Sequence, residues 1–175
     1  KDGKAGRFDW DELKTAYNGG TPRLTGQKNA GNGTDEPLFK GSVVISQNAV
    51  VKASRAVLER IVHLSFDKRH FTPDTLRSSY ALTRMESNQV SGFLLKAVTS
   101  EGAVMNTIAH QQFEHTKMLE SLGTLRNGRV IKNHAQVLAC FDAMREVFSA
   151  ELTEEMREAV QMEIIAMAKA REQAL

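Results

Sequence analysis

The sequence has little cysteine and almost no net charge, and it contains no long hydrophobic run. Its single cysteine, Cys140, excludes an internal disulfide and disfavours a thiolate metal cluster, so we expect a reducing, cytoplasmic setting. The formal charge of +2 provides no strong field for nucleic acid or an anionic membrane. No apolar run approaches the roughly 18 residues of a membrane span, so no membrane partner is expected.

Glycine, proline, methionine and the charged residues are unevenly distributed along the 175 positions. Eight of the twelve glycines lie within the first 41 residues, no proline follows Pro73, and all seven methionines lie at or after Met85. Residues 1–70 carry twelve basic and eight acidic side chains, a charge of +4, whereas residues 140–175 carry four and eight, a charge of −4. These differences predict two domains, residues 1–70 and residues 71–175.

Glycine and polar residues divide the first domain into short elements. Residues 8–17 are predicted to form a helix that ends at Gly19, where a left-handed conformation is easily adopted. Strand-like segments at residues 23–27 and 38–39 enclose the polar, glycine-rich tip KNAGNGTDE. Two strands around such a tip predict a β-hairpin.

Two further segments of this domain have the pattern of strands in a sheet. Residues 41–48 contain a contiguous apolar run, which is typical of a strand buried on both faces, and residues 61–66 alternate. The first of these strands ends at Asn48, and open α/β sheets bind ligands at the carboxyl ends of their strands. Asn48 is therefore either a site residue or the first residue of a turn.

A short helix over residues 54–60, with Ser54 as its expected cap, separates these two strands and carries Arg55 and Arg60. The planar guanidinium group suits phosphate because it donates two parallel hydrogen bonds. The two arginines are five residues apart, so they point in different directions. From spacing alone, they are more readily explained as surface residues than as phosphate ligands.

Three segments of the first domain, in this order, resemble the second half of a superfamily 3 helicase motor, which is an AAA+-type ATPase. The segments are DWDELKTAYNGGTPRL, FKGSVVISQN and ASRAVLERIVHLSFDK, and together they span residues 9–68. They are most similar to the primase–helicase proteins of phages and integrative mobile elements. The resemblance implies that the chain is the C-terminal part of an ATP-dependent replicative DNA helicase.

The resemblance also implies roles for individual residues around ATP. Asn48 matches the polar sensor near the γ-phosphate, and Arg60 matches the arginine finger that reaches the site of a neighbouring subunit. Arg55, on the same helix, is a further candidate for ATP binding. ATP and Mg²⁺ would be held between subunits of a homo-oligomeric ring in the parent protein.

The predicted hairpin matches the segment that faces DNA in the channel of such a ring. Lys14, Arg23 and Lys28 are the candidate residues for contacts with the phosphates of single-stranded DNA. Contacts of this kind are independent of base sequence and weaken with salt. The alternative is a solvated loop with ordinary basic residues, because the tip has no aromatic side chain on which a base could stack.

The sequence departs from the helicase pattern in one important respect. No G-x-x-x-x-G-K-[ST] phosphate-binding loop occurs in the chain. Without the backbone donors, lysine and Mg²⁺-binding hydroxyl of that loop, nothing in the sequence holds the β- and γ-phosphates. We therefore expect this chain alone to bind no cofactor and to hydrolyse no ATP.

The second domain has the sequence pattern of a helical bundle. Thr72-Pro73 is a strong helix start, Gly123 and Asn127-Gly128 mark breaks, and Thr153 is a further cap. The predicted helices cover about residues 73–85, 89–99, 102–122, 130–149 and 154–173. The predicted fold class is accordingly mainly α with a small α/β part, namely the distal portion of an AAA+-like ATPase core followed by a C-terminal helical bundle. The methionines and Cys140 of the second domain are expected to fill its hydrophobic core.

Candidate metal ligands of the second domain do not converge. His110 and His115 are five residues apart, about 140° around a helix, so they do not share a face. A zinc-binding helix has the spacing H-E-x-x-H, which the chain lacks. We therefore expect no metal site.

A second function, of a different class, also fits the sequence. The last 36 residues are acidic, and the final predicted helix has a broad apolar stripe over Met156, Val160, Ile164 and Met167. A non-enzymatic helical interaction module that docks on a replication partner has such features. Retention of a partner without ATP or DNA binding would favour this alternative over the motor.

Overall fold

The computed structural model describes residues 10–20, 25–26, 34–35, 38–46, 51–65, 71–148 and 152–175. Within these residues the protein is mainly helical, as predicted. The chain divides into two compact units, one of residues 1–61 with Leu175 and one of residues 62–174. A search of the described helices for one that is long and apolar enough to cross a membrane finds none.

The first unit contains two short helices and one small antiparallel ladder. The elements are α1 (Glu12–Tyr17), β1 (Thr25–Gly26), β2 (Thr34–Asp35) and α2 (Arg55–Leu58). Residue Thr25 lies opposite Asp35 in the ladder. Gly19 ends α1 in the left-handed region, with φ of 79°, and its carbonyl accepts a hydrogen bond of 2.9 Å from the backbone of Phe39. Ala16 and Val57 are the buried apolar residues of α1 and α2, which pack together.

Both longer strands predicted for this unit are wrong where the structure describes them. Residues 41–46 and 61–65 have no regular secondary structure, and Val44 is 93% exposed. A strand needs a neighbouring strand to pair its backbone hydrogen-bonding groups, and burial of both its faces also needs a packed layer on each face. Among the described residues the only ladder is β1 with β2, which pairs with neither segment. The AAA+-like core therefore stays a prediction.

The second unit consists of six α-helices within the described residues. They are α3 (Pro73–Thr83), α4 (Ser87–Val90), α5 (Gly92–Thr99), α6 (Glu101–Ser121), α7 (Gly128–Ala143, followed by a 3₁₀ turn at Met144–Glu146) and α8 (Glu154–Gln173). The hydroxyl of Thr72 caps α3 and that of Thr153 caps α8, as predicted. Asn127 caps α7 through two backbone N–H groups, and Gly123 takes a φ of 65° after α6. Local capping chemistry thus sets most of these boundaries.

The hydrophobic core of the second unit lies where α7 packs against α6 and α8. Large apolar side chains fill it from all three helices, namely Leu119, Val130, Leu138 and Ile164. Ala135, Ala139 and Ala143 on α7 are also buried, and Ala168 lies on α8. Small side chains at these positions let helices approach closely.

The expectation that methionines and Cys140 fill the core is largely wrong. Five of the seven methionines are exposed: Met85, Met105, Met144, Met156 and Met162. Cys140 is exposed as well. It stands about 200° around α7 from Leu138, so it faces away from the centre of the buried stripe.

Candidate functional site

The structure describes three of the six predicted site residues, which are Lys14, Arg55 and Arg60. The predicted sensor Asn48 and the hairpin residues Arg23 and Lys28 lie outside the described residues. The three described residues belong to α1, to α2 and to the turn after α2, in the first unit. Neighbouring acidic groups compensate the positive charges of these three residues to different degrees.

Lys14 forms an ion pair with the carboxylate at the N-terminus of its own helix. Its Nζ lies 3.0 Å from Asp11 Oδ2, and Asp11 Oδ1 accepts a hydrogen bond of 3.0 Å from the hydroxyl of Ser54. The hydrogen bonds from Lys14 and Ser54 lower the pKa of Asp11. Ser54 precedes α2, where a capping hydrogen bond was expected; its hydroxyl makes none and bonds to Asp11 instead. Asp11 thereby connects the start of α1 to the start of α2.

Arg55 is also paired with a carboxylate. Its Nε lies 3.1 Å from Glu59 Oε1, one helical turn further along the chain. The Arg55 side chain projects into solvent, while that of Glu59 is largely buried. An exposed pair of this spacing contributes only a few tenths of a kcal/mol, about 0.3–0.5. The pair nevertheless reduces the charge that Arg55 presents to a phosphate.

Arg60 is held by uncharged groups. Its guanidinium carbon lies 5.5 Å from the centre of the Tyr17 ring, and Nη1 donates a hydrogen bond to the carbonyl of Ala56. Its Nε is shielded from solvent and has no hydrogen-bond partner among the described residues. No carboxylate in the described part of the chain pairs with it. An aromatic ring and a backbone carbonyl therefore fix the position of the Arg60 guanidinium group.

The contrast among these three residues has a chemical consequence. A cation that is neutralised by a neighbouring carboxylate must lose that partner before it binds a phosphate. Arg60 would not have to lose an ion pair with any described residue before it contacted an anion. Tyr17 and the Ala56 carbonyl hold its guanidinium group in place.

The sequence analysis missed a buried polar network in the second unit. Asp142 on α7 accepts a hydrogen bond of 2.7 Å from His115 Nε2 of α6 and another of 2.7 Å from Arg157 Nε of α8. Arg157 also donates to Glu154 at 2.8 Å, and Arg145 lies 3.3 Å from the same carboxylate. A single carboxylate thus joins all three core helices.

The charged groups of this network stabilise one another's ionised forms. Burial raises the pKa of Asp142, but the hydrogen bonds and charges of Arg157 and His115 outweigh it and lower the pKa overall. The hydrogen bond to Asp142, with that to Glu154, raises the pKa of Arg157 above its usual range. One sequence signal was available, since Asp142 follows Leu138 by four residues and so lies on the apolar stripe of α7. A carboxylate there indicates a buried cationic partner.

The histidines that the structure describes do not cluster into a metal site. In the described part of the chain no three potential ligands lie close enough together to hold a metal ion. His110 is exposed, whereas His115 is buried against Asp142. His134 is buried too, and its Nδ1 donates to the Val130 carbonyl at 2.7 Å. Burial lowers the pKa of His134, which favours the neutral ring.

No protein-family model, curated protein or solved structure matches this chain.

Proposed function

We propose that this chain is the distal part of an ATP-dependent replicative DNA helicase, a primase–helicase of a mobile element. The observation that carries the proposal is the state of Arg60, a fixed arginine without a carboxylate partner among the described residues. The order of the three helicase-like segments supports it. Arg60 is favoured among the basic residues because Lys14 and Arg55 are paired with acidic groups, whereas Arg60 has no acidic partner in the described ranges.

In this proposal ATP binds between neighbouring subunits of a homo-oligomeric ring. Arg60 of one subunit reaches the γ-phosphate of the ATP in the neighbouring subunit's site and stabilises the charge of the transition state. Asn48 is the polar sensor that contacts the γ-phosphate. An arginine finger of this kind accelerates phosphoryl transfer by about 10³–10⁵-fold. The phosphate-binding loop and the Mg²⁺ ligands belong to a preceding segment of the parent protein.

The hairpin has the DNA-binding role in this proposal. Arg23 and Lys28 contact the phosphates of single-stranded DNA in the channel, with Lys14 nearby. Lys14 exchanges its contact with Asp11 for a phosphate only when the strand approaches. Arg55 becomes a supporting residue that stabilises α2 through Glu59 rather than a direct ligand of ATP.

Substitution of Arg60 tests the proposal in the protein that includes a phosphate-binding loop. We expect Arg60→Ala to reduce kcat for ATP hydrolysis by about 10³-fold or more and to leave nucleotide affinity nearly unchanged. Arg60→Lys should fail to restore activity because ammonium lacks the planar fork of guanidinium. Arg55→Ala, at the start of α2 and five residues before Arg60, is the matched control and should change kcat by only a few fold.

Two results would contradict this proposal. Unchanged hydrolysis in Arg60→Ala would exclude the finger role, provided that circular dichroism shows a native fold. Equal losses in Arg55→Ala and Arg60→Ala would show that the effect is a general weakening of α2. Either result would remove the observation on which the motor assignment depends.

The outer side of α8 favours a second candidate function, a helical module that docks on a replication partner. Glu155, Glu158 and Glu163 are exposed on this helix, and between them Met162 is exposed as well. An acidic surface with a flexible apolar side chain fits a basic, amphipathic partner helix. A partner that is retained by the chain and released by Met162→Glu, without any ATP or DNA binding, would support the module instead of the motor.

A further inference from the structure

The hydroxyl of Ser54 joins two helices instead of capping its own. Ser54 occupies the N-cap position of α2, where a serine side chain normally accepts a hydrogen bond from a backbone N–H of the first helical turn. It accepts no such bond, and its hydroxyl donates to Asp11 Oδ1 at 3.0 Å, across 43 residues of sequence. This serine therefore serves the relative placement of α1 and α2 rather than the local start of α2.

A second contact joins the same two elements further along. Arg60, in the turn that follows α2, places its guanidinium carbon 5.5 Å from the centre of the Tyr17 ring at the end of α1. Asp11 and Tyr17 are six residues apart, and Ser54 and Arg60 are six residues apart as well. Six residues of a helix span about 9 Å. The two elements thus lie side by side in the same direction, with one contact at their starts and another at their ends.

The buried side chains between these contacts hold the two helices together without fixing their alignment. Ala16 of α1 and Val57 of α2 are 8% and 1% exposed, and the two helices pack together. The hydrophobic effect is non-directional, so such contacts tolerate a small rotation or shift of one short helix against the other. A hydrogen bond depends on both distance and angle. The bond between Ser54 and Asp11 therefore sets the alignment that brings Arg60 to Tyr17.

We propose that Ser54, through its hydrogen bond to Asp11, is a positioning residue for Arg60. It contacts neither nucleotide nor DNA in this role, and the inference rests on the proposed role of Arg60 as an arginine finger. A group that stabilises transition-state charge must be held in its productive geometry. A misplacement of about 1 Å, caused by a change far from the reacting atoms, can cost about 10²-fold in rate.

Nuclear magnetic resonance of the chain measures the position of Arg60 without any reaction. The Nε–H group of Arg60 is shielded from solvent, and the ring current of nearby Tyr17 displaces its proton resonance. Ser54→Ala should move this resonance toward the position that it takes in Tyr17→Leu, and Ser54→Thr, which keeps the hydroxyl, should restore it. Thr15→Ala is the matched control because it removes an exposed hydroxyl from α1, and it should leave the resonance unchanged.

ATP hydrolysis by the protein that includes a phosphate-binding loop measures the catalytic consequence. Ser54→Ala should lower kcat by about tenfold and leave KM nearly unchanged. Ser54→Thr should restore kcat, and Thr15→Ala should keep the wild-type value. Because Ser54 makes no capping bond, Ser54→Ala removes none from α2, and the loss of kcat reports the contact with Asp11.

The two measurements separate this proposal from the role of Arg60 itself. An Arg60 resonance that Ser54→Ala leaves in place would overturn the proposal, as would a loss of kcat that Thr15→Ala reproduces or Ser54→Thr fails to restore. A displaced resonance with unchanged kcat would also overturn it when Arg60→Ala abolishes hydrolysis. If Arg60→Ala hydrolyses ATP normally, the finger role fails, and the resonance alone decides whether Ser54 positions Arg60.

Discussion

Replacement of Asp142 should destabilise the second unit more than any other single change at a charged residue. Asp142 is only 8% exposed and accepts two hydrogen bonds of 2.7 Å, from His115 and Arg157. A hydrogen bond to a charged group contributes about 1.5–3 kcal/mol, and removal leaves its buried partner without one. Arg157 is partly exposed and regains water in the variant. We therefore expect Asp142→Ala to lower the free energy of unfolding by about 3 kcal/mol, the low end of the cost of breaking a buried pair.

Urea unfolding followed by circular dichroism at 222 nm measures this loss. With an m-value of about 2 kcal/mol/M, the unfolding midpoint should fall by about 1.5 M. Glu154→Ala is the matched control because Glu154 contacts the same arginine from an exposed position. The control should shift the unfolding midpoint only slightly, because exposed ion pairs stabilise a protein little. If both variants lose the same stability, or Asp142→Ala loses less than the control, the network is not what holds the three helices together.

The same network predicts a dependence on pH with a definite sign. The folded state lowers the pKa of Asp142 from its ordinary value of 3.8. The unfolded chain therefore binds a proton more readily than the folded one. The stabilisation is complete above about pH 4 and is lost as the pH falls through the lower pKa of the folded state. Asp142→Ala should lack this part of the acid transition.

Three further predictions concern other residues. Because burial lowers the pKa of His134, the unfolded chain binds a proton at a higher pH than the folded chain, so the free energy of unfolding should decrease as the pH falls below about 6.5. Urea titrations at several pH values should show a flatter dependence for His134→Gln. The control His110→Gln should keep the wild-type dependence. Tyr17→Leu should lower kcat for ATP hydrolysis with little change in KM, whereas Tyr17→Phe should retain activity because it keeps the ring that contacts Arg60. Equal losses in the two variants would exclude the ring contact. Lys28→Ala should weaken single-stranded DNA binding and make it less dependent on salt by fluorescence anisotropy, and an unchanged salt slope would exclude a phosphate contact.

The helices of the second unit could be predicted because their signals are local. A threonine followed by suitable first-turn residues at Thr72 and Thr153 sets where two helices begin, whatever they pack against. Gly123 marks an end for a similarly local reason, since a positive φ favours glycine. The predicted bounds of α8 agree with the observed Glu154–Gln173.

The features that sequence reasoning missed depend on partners distant in the chain. The run Val43–Ile45 has the composition of a buried strand, but a strand also needs neighbours to pair with, and the described residues provide none. His115 and Arg157 are 27 and 15 residues from Asp142, so no local spacing reveals that one carboxylate serves both. The state of Arg60 likewise depends on Tyr17, which belongs to another helix.

The buried network also determines which of several similar helix packings the second unit adopts. Ala135, Ala139 and Ala143 of α7 and Ala168 of α8 are buried, and small apolar side chains do not by themselves specify the axial position of a helix. A slip of one helical turn, about 5.4 Å, would exchange one set of apolar neighbours for another. The same slip would carry Arg157 away from Asp142 and leave a carboxylate in the core without its cation. The ion pair thus fixes the axial register of α8, so that the chain folds to one alignment where its apolar residues alone would permit more.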